Sequence, residues 1–333
     1  MMDMRKPVRI IKASEIKHHY SMQKAINAME RAFSSLSSGE GFVPLRFVSR
    51  IPSNELLMLF KPAYVEKDRR VSVKVLTQRN CSSSQGIPTI QGIVLVIDAV
   101  SGEILSIIDG EYITALRTGA ASGLATRCFA RENARIMALF GCGVQGRTQL
   151  EAVLCERNIK KILVFDKYKD AADKIINEMQ EKYGIEMAYS DDTSVLKEVD
   201  IICTATNSTM PLFRKEDVKK GVHINAIGSF QPDMQELDPY LIKDAKVYVD
   251  SLESCLKESG DLIKPISNGI IDQNHIKGEI GSFCLNSIAG RESENEITIF
   301  KSVGVAIQDF AVASDIYNNS LKKSFGQEIK LFE

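Results

Sequence analysis

A short run of glycines constrains the fold of this 333-residue chain more than any other feature. Gly141, Gly143 and Gly146 follow the apolar segment Arg135–Phe140 and open a helix-patterned stretch, GCGVQGRTQLEAVLCE. In such a turn the first glycine permits the tight bend and the second lets the backbone approach a pyrophosphate. The third lets helix and strand pack closely. Val144 and Gln145 lie at the start of the helix, where free N–H groups and the positive end of the dipole meet phosphates. A second apolar strand, Lys161–Phe165, ends in Asp166, twenty residues past Gly146. That is where a carboxylate accepts hydrogen bonds from the adenosine ribose. The spacing predicts a Rossmann unit beginning near Ala134 that binds a nicotinamide dinucleotide. A glycine turn in an unrelated βα unit is the competing reading. Asp166 favours NAD, because a carboxylate repels the 2′-phosphate of NADP; Lys167 beside it softens that choice and leaves NADP open. Thr204, Ala205 and Thr206 end a further apolar strand, VDIICTAT, either against the cofactor or as an ordinary strand-end turn.

The rest of the chain reads as a second kind of structure. Residues 14–37 carry Met22, Ile26, Met29 and Phe33 at helical spacing and predict one helix. Residues 42–100 read as strands separated by turns at Pro52-Ser53-Asn54, at Lys67 to Arg70 and at Ser101-Gly102, with an alternation that suits an antiparallel sheet. Residues 111–130 are Ala-rich and helical. From residue 135 strand and helix alternate, as in a parallel doubly wound sheet. The closing stretch reads as a strand and a long helix that packs back on the N-terminal half.

Forty-two basic residues against 43 acidic ones give a net charge of −1, so the totals offer no case for nucleic acid or an anionic membrane as partner. The first residues lack the apolar core of a secretory signal, and no window approaches a membrane span. A soluble, cytoplasmic chain is expected. Seven cysteines, an odd number without a CxxC pair, read as reduced, buried thiols. His18, His19, His223 and His275 form no ligand spacing, so no metal is expected.

Several segments carry a wider resemblance: PLRF at 44–47, VKV at 73–75, GIPTIQG at 86–92, DGEYITALRTGAASGLATRCFAR at 109–131, FGCGVQG at 140–146, HINAIGSFQPDMQELD at 223–238, VYVDSLESCLKESGD at 247–261 and ITIFKSVGVAIQD at 297–309. In this order, over nearly the whole length, the chain resembles the ornithine cyclodeaminase/mu-crystallin family. The resemblance implies an α/β fold with a Rossmann domain, 122–307, inserted in an α+β substrate-binding and dimerisation domain, 1–121 plus 308–333. It implies a homodimer and adds Thr118, Gly228 and Ser229 to the expected cofactor contacts. It also implies that Arg46, Lys74 and Arg117 hold the carboxylate of an amino or imino acid and assist proton transfer. Each of the three also has an ordinary reading as a solvated surface cation.

Two positions depart from relatives. Deaminating members of the family carry an Asp shortly after the Ile-Gly of this motif; aligned through Gly228 and Glu236-Leu237, that position is Phe230. Without the carboxylate a primary amine lacks its base, whereas a preformed imine accepts hydride directly. The expected activity is therefore reduction of a cyclic imino acid such as pyrroline-2-carboxylate. A cyclodeaminase, a related amino-acid dehydrogenase, or a non-enzymatic crystallin-like binder are the alternatives. Lys61, in MLFKPAYV, stands where relatives often have Met; it reads either as a cation for an extra acidic group or as a surface lysine at a strand end.

Overall fold

A computed structural model describes residues 6–51, 56–79 and 90–331. The chain forms two compact units, Met1–Arg117 with Val305–Glu333, and Thr118–Gly304. The junctions read from sequence, after residue 121 and before 308, lie a few residues away.

The first unit contains, in chain order, β1 (Val8–Ile11), α1 (Ala13–His19), α2 (Met22–Ser37), β2 (Gly41–Phe42), β3 (Phe47–Ile51), β4 (Leu56–Val65), β5 (Arg70–Arg79), β6 (Ile90–Asp98) and β7 (Ile104–Asp109). Helix α3 (Gly110–Phe129) carries the chain across the junction. The single helix expected over 14–37 is two. Tyr20 is extended, and the Ser21 hydroxyl caps α2 by accepting the Lys24 N–H, so the chain turns between them. The predicted turn at 52–54 lies outside the described residues.

The second unit contains β8 (Ile136–Phe140), α4 (Val144–Glu156), β9 (Lys161–Phe165), α5 (Lys169–Tyr183), β10 (Glu186–Tyr189), β11 (Ile201–Thr204), β12 (His223–Ala226), α6 (Pro239–Asp244), β13 (Lys246–Val249), α7 (Leu252–Glu258), α8 (Gly260–Ser267), β14 (Ile276–Glu279), α9 (Ile280–Cys284) and β15 (Thr298–Lys301). The chain then returns to the first unit as α10 (Ala306–Lys323) and β16 (Gln327–Ile329).

Among the described residues the first unit's sheet runs β16-β1-β7-β6-β5-β4-β2, with β3 also on β4. It is antiparallel as expected, except that β1 lies parallel to β7. One face alternates into the core: Leu59, Lys61, Ala63 and Val65 of β4, Ser72, Lys74 and Leu76 of β5, Val94 and Val96 of β6 are buried. Helix α10 covers this face and packs against α2. A half-buried core face thus carries two lysines, which only paired chemistry can stabilise.

The second unit's sheet runs β10-β9-β8-β11-β12-β15-β13-β14 and is parallel throughout. Its strands are almost wholly buried, and apolar clusters fill both faces. The order reverses between β8 and β11, which is where open α/β sheets bind ligands beyond the strands' carboxyl ends.

The cysteines correct one expectation. Cys142, Cys203 and Cys255 are buried free thiols, but Cys128 and Cys284, on α3 and α9, are partly exposed and Cys155, on α4, is exposed; Cys81 lies outside the described residues.

Candidate active site

In the second unit the glycine loop sits between β8 and α4. Gly141 has φ +97°, a left-handed backbone that disfavours side chains, and a Cβ there would meet the Ala205 carbonyl at 2.5 Å. A Cβ on Gly146 would collide with the carbonyl of Gly141, whereas one on Gly143 would meet nothing within 4 Å. The outer two glycines close the turn, and Gly143 leaves open approach to the backbone. Gly143 is the N-cap of α4; Val144 is exposed in its first turn, and the Gln145 Oε1 is buried without a partner among the described atoms. Asp166 ties this turn to β9. Its Oδ2 accepts the Cys142 N–H at 2.8 Å and its Oδ1 the Tyr168 N–H at 2.9 Å. Lys167 is exposed beside it, with Nζ 5.7 Å from the Tyr168 ring centroid.

A buried carboxylate to which the sequence assigned no role, Glu236, organises the other side of the switch point. Glu236 Oε1 accepts the Thr206 N–H and hydroxyl at 2.7 and 2.8 Å; its Oε2 accepts the Thr204 hydroxyl at 2.7 Å and the Gly228 N–H at 2.8 Å. Burial pushes its pKa up, and nearby Lys301 draws it down. Four donors on two oxygens favour the carboxylate. The strand-end turn Thr204 to Thr206 is thereby clipped to Gly228, where any Cβ would strike Glu236 and the Thr206 carbonyl. The Ser229 hydroxyl is engaged by backbone, donating to the Met234 carbonyl and accepting the Asp261 N–H, each at 3.2 Å. Phe230 packs, half-buried, on the apolar cluster that includes Phe140 and Phe165. Thr118 is buried in α3.

In the first unit two of the three predicted cations, Lys74 and Arg117, converge on Asp309, a residue to which the sequence assigned no role. Lys74 Nζ donates to Asp309 Oδ1 at 2.8 Å and to the Thr114 hydroxyl at 3.0 Å. Arg117 Nε reaches the same Oδ1 at 3.2 Å, and its Nη1 donates to Gln308 Oε1 at 2.6 Å. Asp309 and Lys74 are 1% exposed at the side chain and Arg117 7%, so the surface readings of Lys74 and Arg117 do not hold. Burial raises the Asp309 carboxyl, but Lys74, Arg117 and Lys61 together more than offset this and hold it at about 2. Burial lowers Lys74 to about 8, with Arg117 pushing the same way and Asp309 opposing. Asp309 Oδ2 is buried with no hydrogen-bond partner among the described atoms. A buried oxygen of this kind costs free energy until a donor meets it.

Lys61 is not at the surface and not at a strand end. It lies in the middle of β4, 5% exposed, in register with Lys74 on β5. Burial and then the Lys74 charge push its ammonium well below the usual range. Arg46, partly exposed in the loop before β3, adds its charge to the field at Lys61 and Lys74. A sequence signal for Asp309 and Gln308 existed, since both fall in the IQD that ends the last matching segment; a charged residue in an amphipathic helix ordinarily faces water.

The doubly wound sheet with its glycine loop at the switch point defines a dinucleotide-binding fold. The profile of the ornithine cyclodeaminase/mu-crystallin family matches residues 7–324, and the chain belongs to that family. It is similar to a Delta(1)-pyrroline-2-carboxylate reductase of Bacillus cereus, 37% identical over 323 residues that cover 96% of this chain and 99% of the relative. It is 34% identical to an alanine dehydrogenase of Archaeoglobus fulgidus, over 97% of this chain and 98% of the relative. Among solved structures, the Delta(1)-pyrroline-2-carboxylate reductase of Thermococcus litoralis, in complex with NADH and L-proline, superposes with a TM-score of 0.93 at 36% identity, covering 97% of this chain and 100% of that one.

Proposed function

We propose that this protein is an NAD(H)-dependent oxidoreductase that reduces a 2-imino acid, such as pyrroline-2-carboxylate, to the amino acid. The observation that carries the reading is the buried set of Lys74, Arg117 and Asp309, a cationic site for a small carboxylate, in a chain whose relatives include reductases of that substrate. The open backbone at Gly143, the first amides of α4 at Val144 and Gln145, and the remaining lone pairs of Asp166 fit a dinucleotide's diphosphate and adenosine ribose. Thr204 to Thr206, Gly228, Ser229 and Thr118 would complete its binding, with Glu236 holding two of these segments together. When bound, NADH supplies the hydride that reduces the imine carbon.

The chain's own groups do the rest. Arg46 and Arg117 hold the substrate carboxylate through charge-assisted hydrogen bonds. Lys74, an ammonium below about pH 8, donates a proton or hydrogen bond at the imine nitrogen. Asp309 fixes Lys74 and Arg117 on one oxygen and keeps the second for an N–H of the ligand. Phe230 offers no base for an amine and helps to exclude water. The test is NADH oxidation by purified protein over a panel of cyclic imino acids. Saturable turnover of pyrroline-2-carboxylate or a close analogue is expected, and no turnover of any imine would overturn the assignment.

A homodimer formed through the first unit's sheet is part of the same reading. The outer face of that sheet presents apolar side chains to solvent, including Phe42, Phe47 and Ile93. No described helix is long and apolar enough to cross a membrane, and the free thiols suit a reducing compartment, so the cytoplasm is the proposed location.

A further inference from the structure

Glu236, Asp261 and Lys301 form a fully buried cluster of charges in the second unit. Lys301, at the end of β15, donates to Asp261 Oδ2 at 3.1 Å. Asp261, in the first turn of α8, accepts the Glu236 and Leu237 N–H groups on its other oxygen, at 2.7 and 3.0 Å. Lys301 and Asp261 thus offset each other. Glu236 has no ammonium or guanidinium in contact among the described residues; two N–H groups and two hydroxyls keep it ionised against the cost of burial. Two carboxylates and one ammonium leave one negative charge, and the surrounding protein screens it far less than water does.

The place of that charge gives it a consequence. Glu236 holds the turns that end β11 and β12, at Thr204, Thr206 and Gly228. The strand order β9-β8-β11-β12 puts these turns on the opposite side of the glycine loop from Asp166. With the adenosine ribose at Asp166 and the diphosphate at the loop, the nicotinamide half of a dinucleotide belongs at these turns. Its two redox forms differ there by one charge: the oxidised ring is a cation and the reduced ring is neutral.

We propose that Glu236 biases the redox balance of the bound cofactor, its buried charge favouring the cationic nicotinamide ring over the neutral one. The inference rests on the reading of this unit as the dinucleotide site. In the reaction a hydride, with its electron pair, leaves the reduced ring and bonds to the imine carbon. The C=N π pair returns to nitrogen, and the positive charge of the protonated imine passes to the ring. A fixed carboxylate stabilises that charge as it develops and needs no rearrangement to do so. Glu236 acts through the turns that it holds and is a positioning residue.

The test measures Kd for NADH and for NAD+ on the full chain near pH 7, without substrate, by fluorescence and calorimetry. Glu236→Gln keeps the size and removes the charge. It should raise the Kd of NAD+ about tenfold or more relative to that of NADH, as one unit charge acting across several ångströms of protein implies. Glu236→Asp keeps the charge and shortens the reach; it should weaken both forms alike and leave their ratio at the wild-type value. A clip without electrostatic effect would move both Kd values together in either variant, so an unchanged ratio in Glu236→Gln overturns the proposal. If Glu236→Gln does not fold, the wild type decides: NAD+ should bind at least as tightly as NADH, and tighter binding of NADH overturns the bias. Failure of the wild type to bind either form would overturn the dinucleotide site itself, and the proposal with it.

Discussion

Lys74 Nζ and Asp309 Oδ1 lie 2.8 Å apart, although 235 positions separate the two residues in the chain. Strand β5 supplies one and the returning helix α10 the other, and Arg117 Nε closes on the same oxygen from α3 at 3.2 Å. The helix that completes the first unit therefore also supplies the anion around which its cations gather.

Replacing Asp309 by Asn should be costly. The change keeps the shape but leaves Lys74 and Arg117 buried against a neutral amide. Breaking a buried pair in this way costs about 3–5 kcal/mol. Urea unfolding of the variant should show a loss of that order; a loss below about 1 kcal/mol would mean the cluster is stabilised by groups other than Asp309.

The pH profile should carry the Lys74 signature. Lys74 titrates at about 8, so its ammonium is present below that pH and lost above it. Imine reduction at saturating substrate should be full on the acidic side and decline as pH rises through about 8. Asp309, held at about 2, stays ionised throughout and adds no limb between pH 5 and 9. A Lys74→Met variant should retain little activity and show no such limb. A wild-type rate that rises through pH 8 would assign the proton to another group.

Cofactor choice should follow Asp166. The wild type should use NADH with a higher kcat/KM than NADPH, and Asp166→Ser should narrow the difference. Since Asp166 also anchors the Cys142 amide, the variant should bind both cofactors less well. A tenfold wild-type preference for NADPH would contradict this role for Asp166.

Arg117→Ala should raise the KM for the imino acid about ten- to a hundredfold, the equivalent of roughly 1.5–3 kcal/mol for a charge-assisted contact, with a much smaller change for NADH. Equal changes for both ligands would mark Arg117 as a structural partner of Gln308 and Asp309 only.

What the sequence disclosed depended on how local the cause was. The turn at Gly141, Gly143 and Gly146 is set by backbone sterics within six residues, so its geometry was readable from spacing alone. The placement of Asp166 followed from the length of one βα unit. Tyr20-Ser21 shows the limit of periodicity: the helical spacing of Met22, Ile26, Met29 and Phe33 does not say where their helix begins, and the cap at Ser21 sets that start. Lys61 and Asp309 are long-range cases. Whether a strand lysine is buried depends on a helix more than 200 positions away, and a helix aspartate faces inward here because two cations wait beneath it. Glu236 was hidden likewise, since the turns that it joins meet only once the parallel sheet has formed.

With Phe230 where a base would have to stand, the protein should reduce imines and should not deaminate amines. The direct measurement compares two rates on one preparation: NADH oxidation with pyrroline-2-carboxylate, and ammonia release from ornithine with NAD, at matched concentrations. Imine reduction should be faster by orders of magnitude, with ornithine turned over slowly or not at all, and Phe230→Asp should weaken the reduction. Ammonia release by the wild type that outpaces imine reduction would make the protein a cyclodeaminase and Phe230 no barrier to deamination.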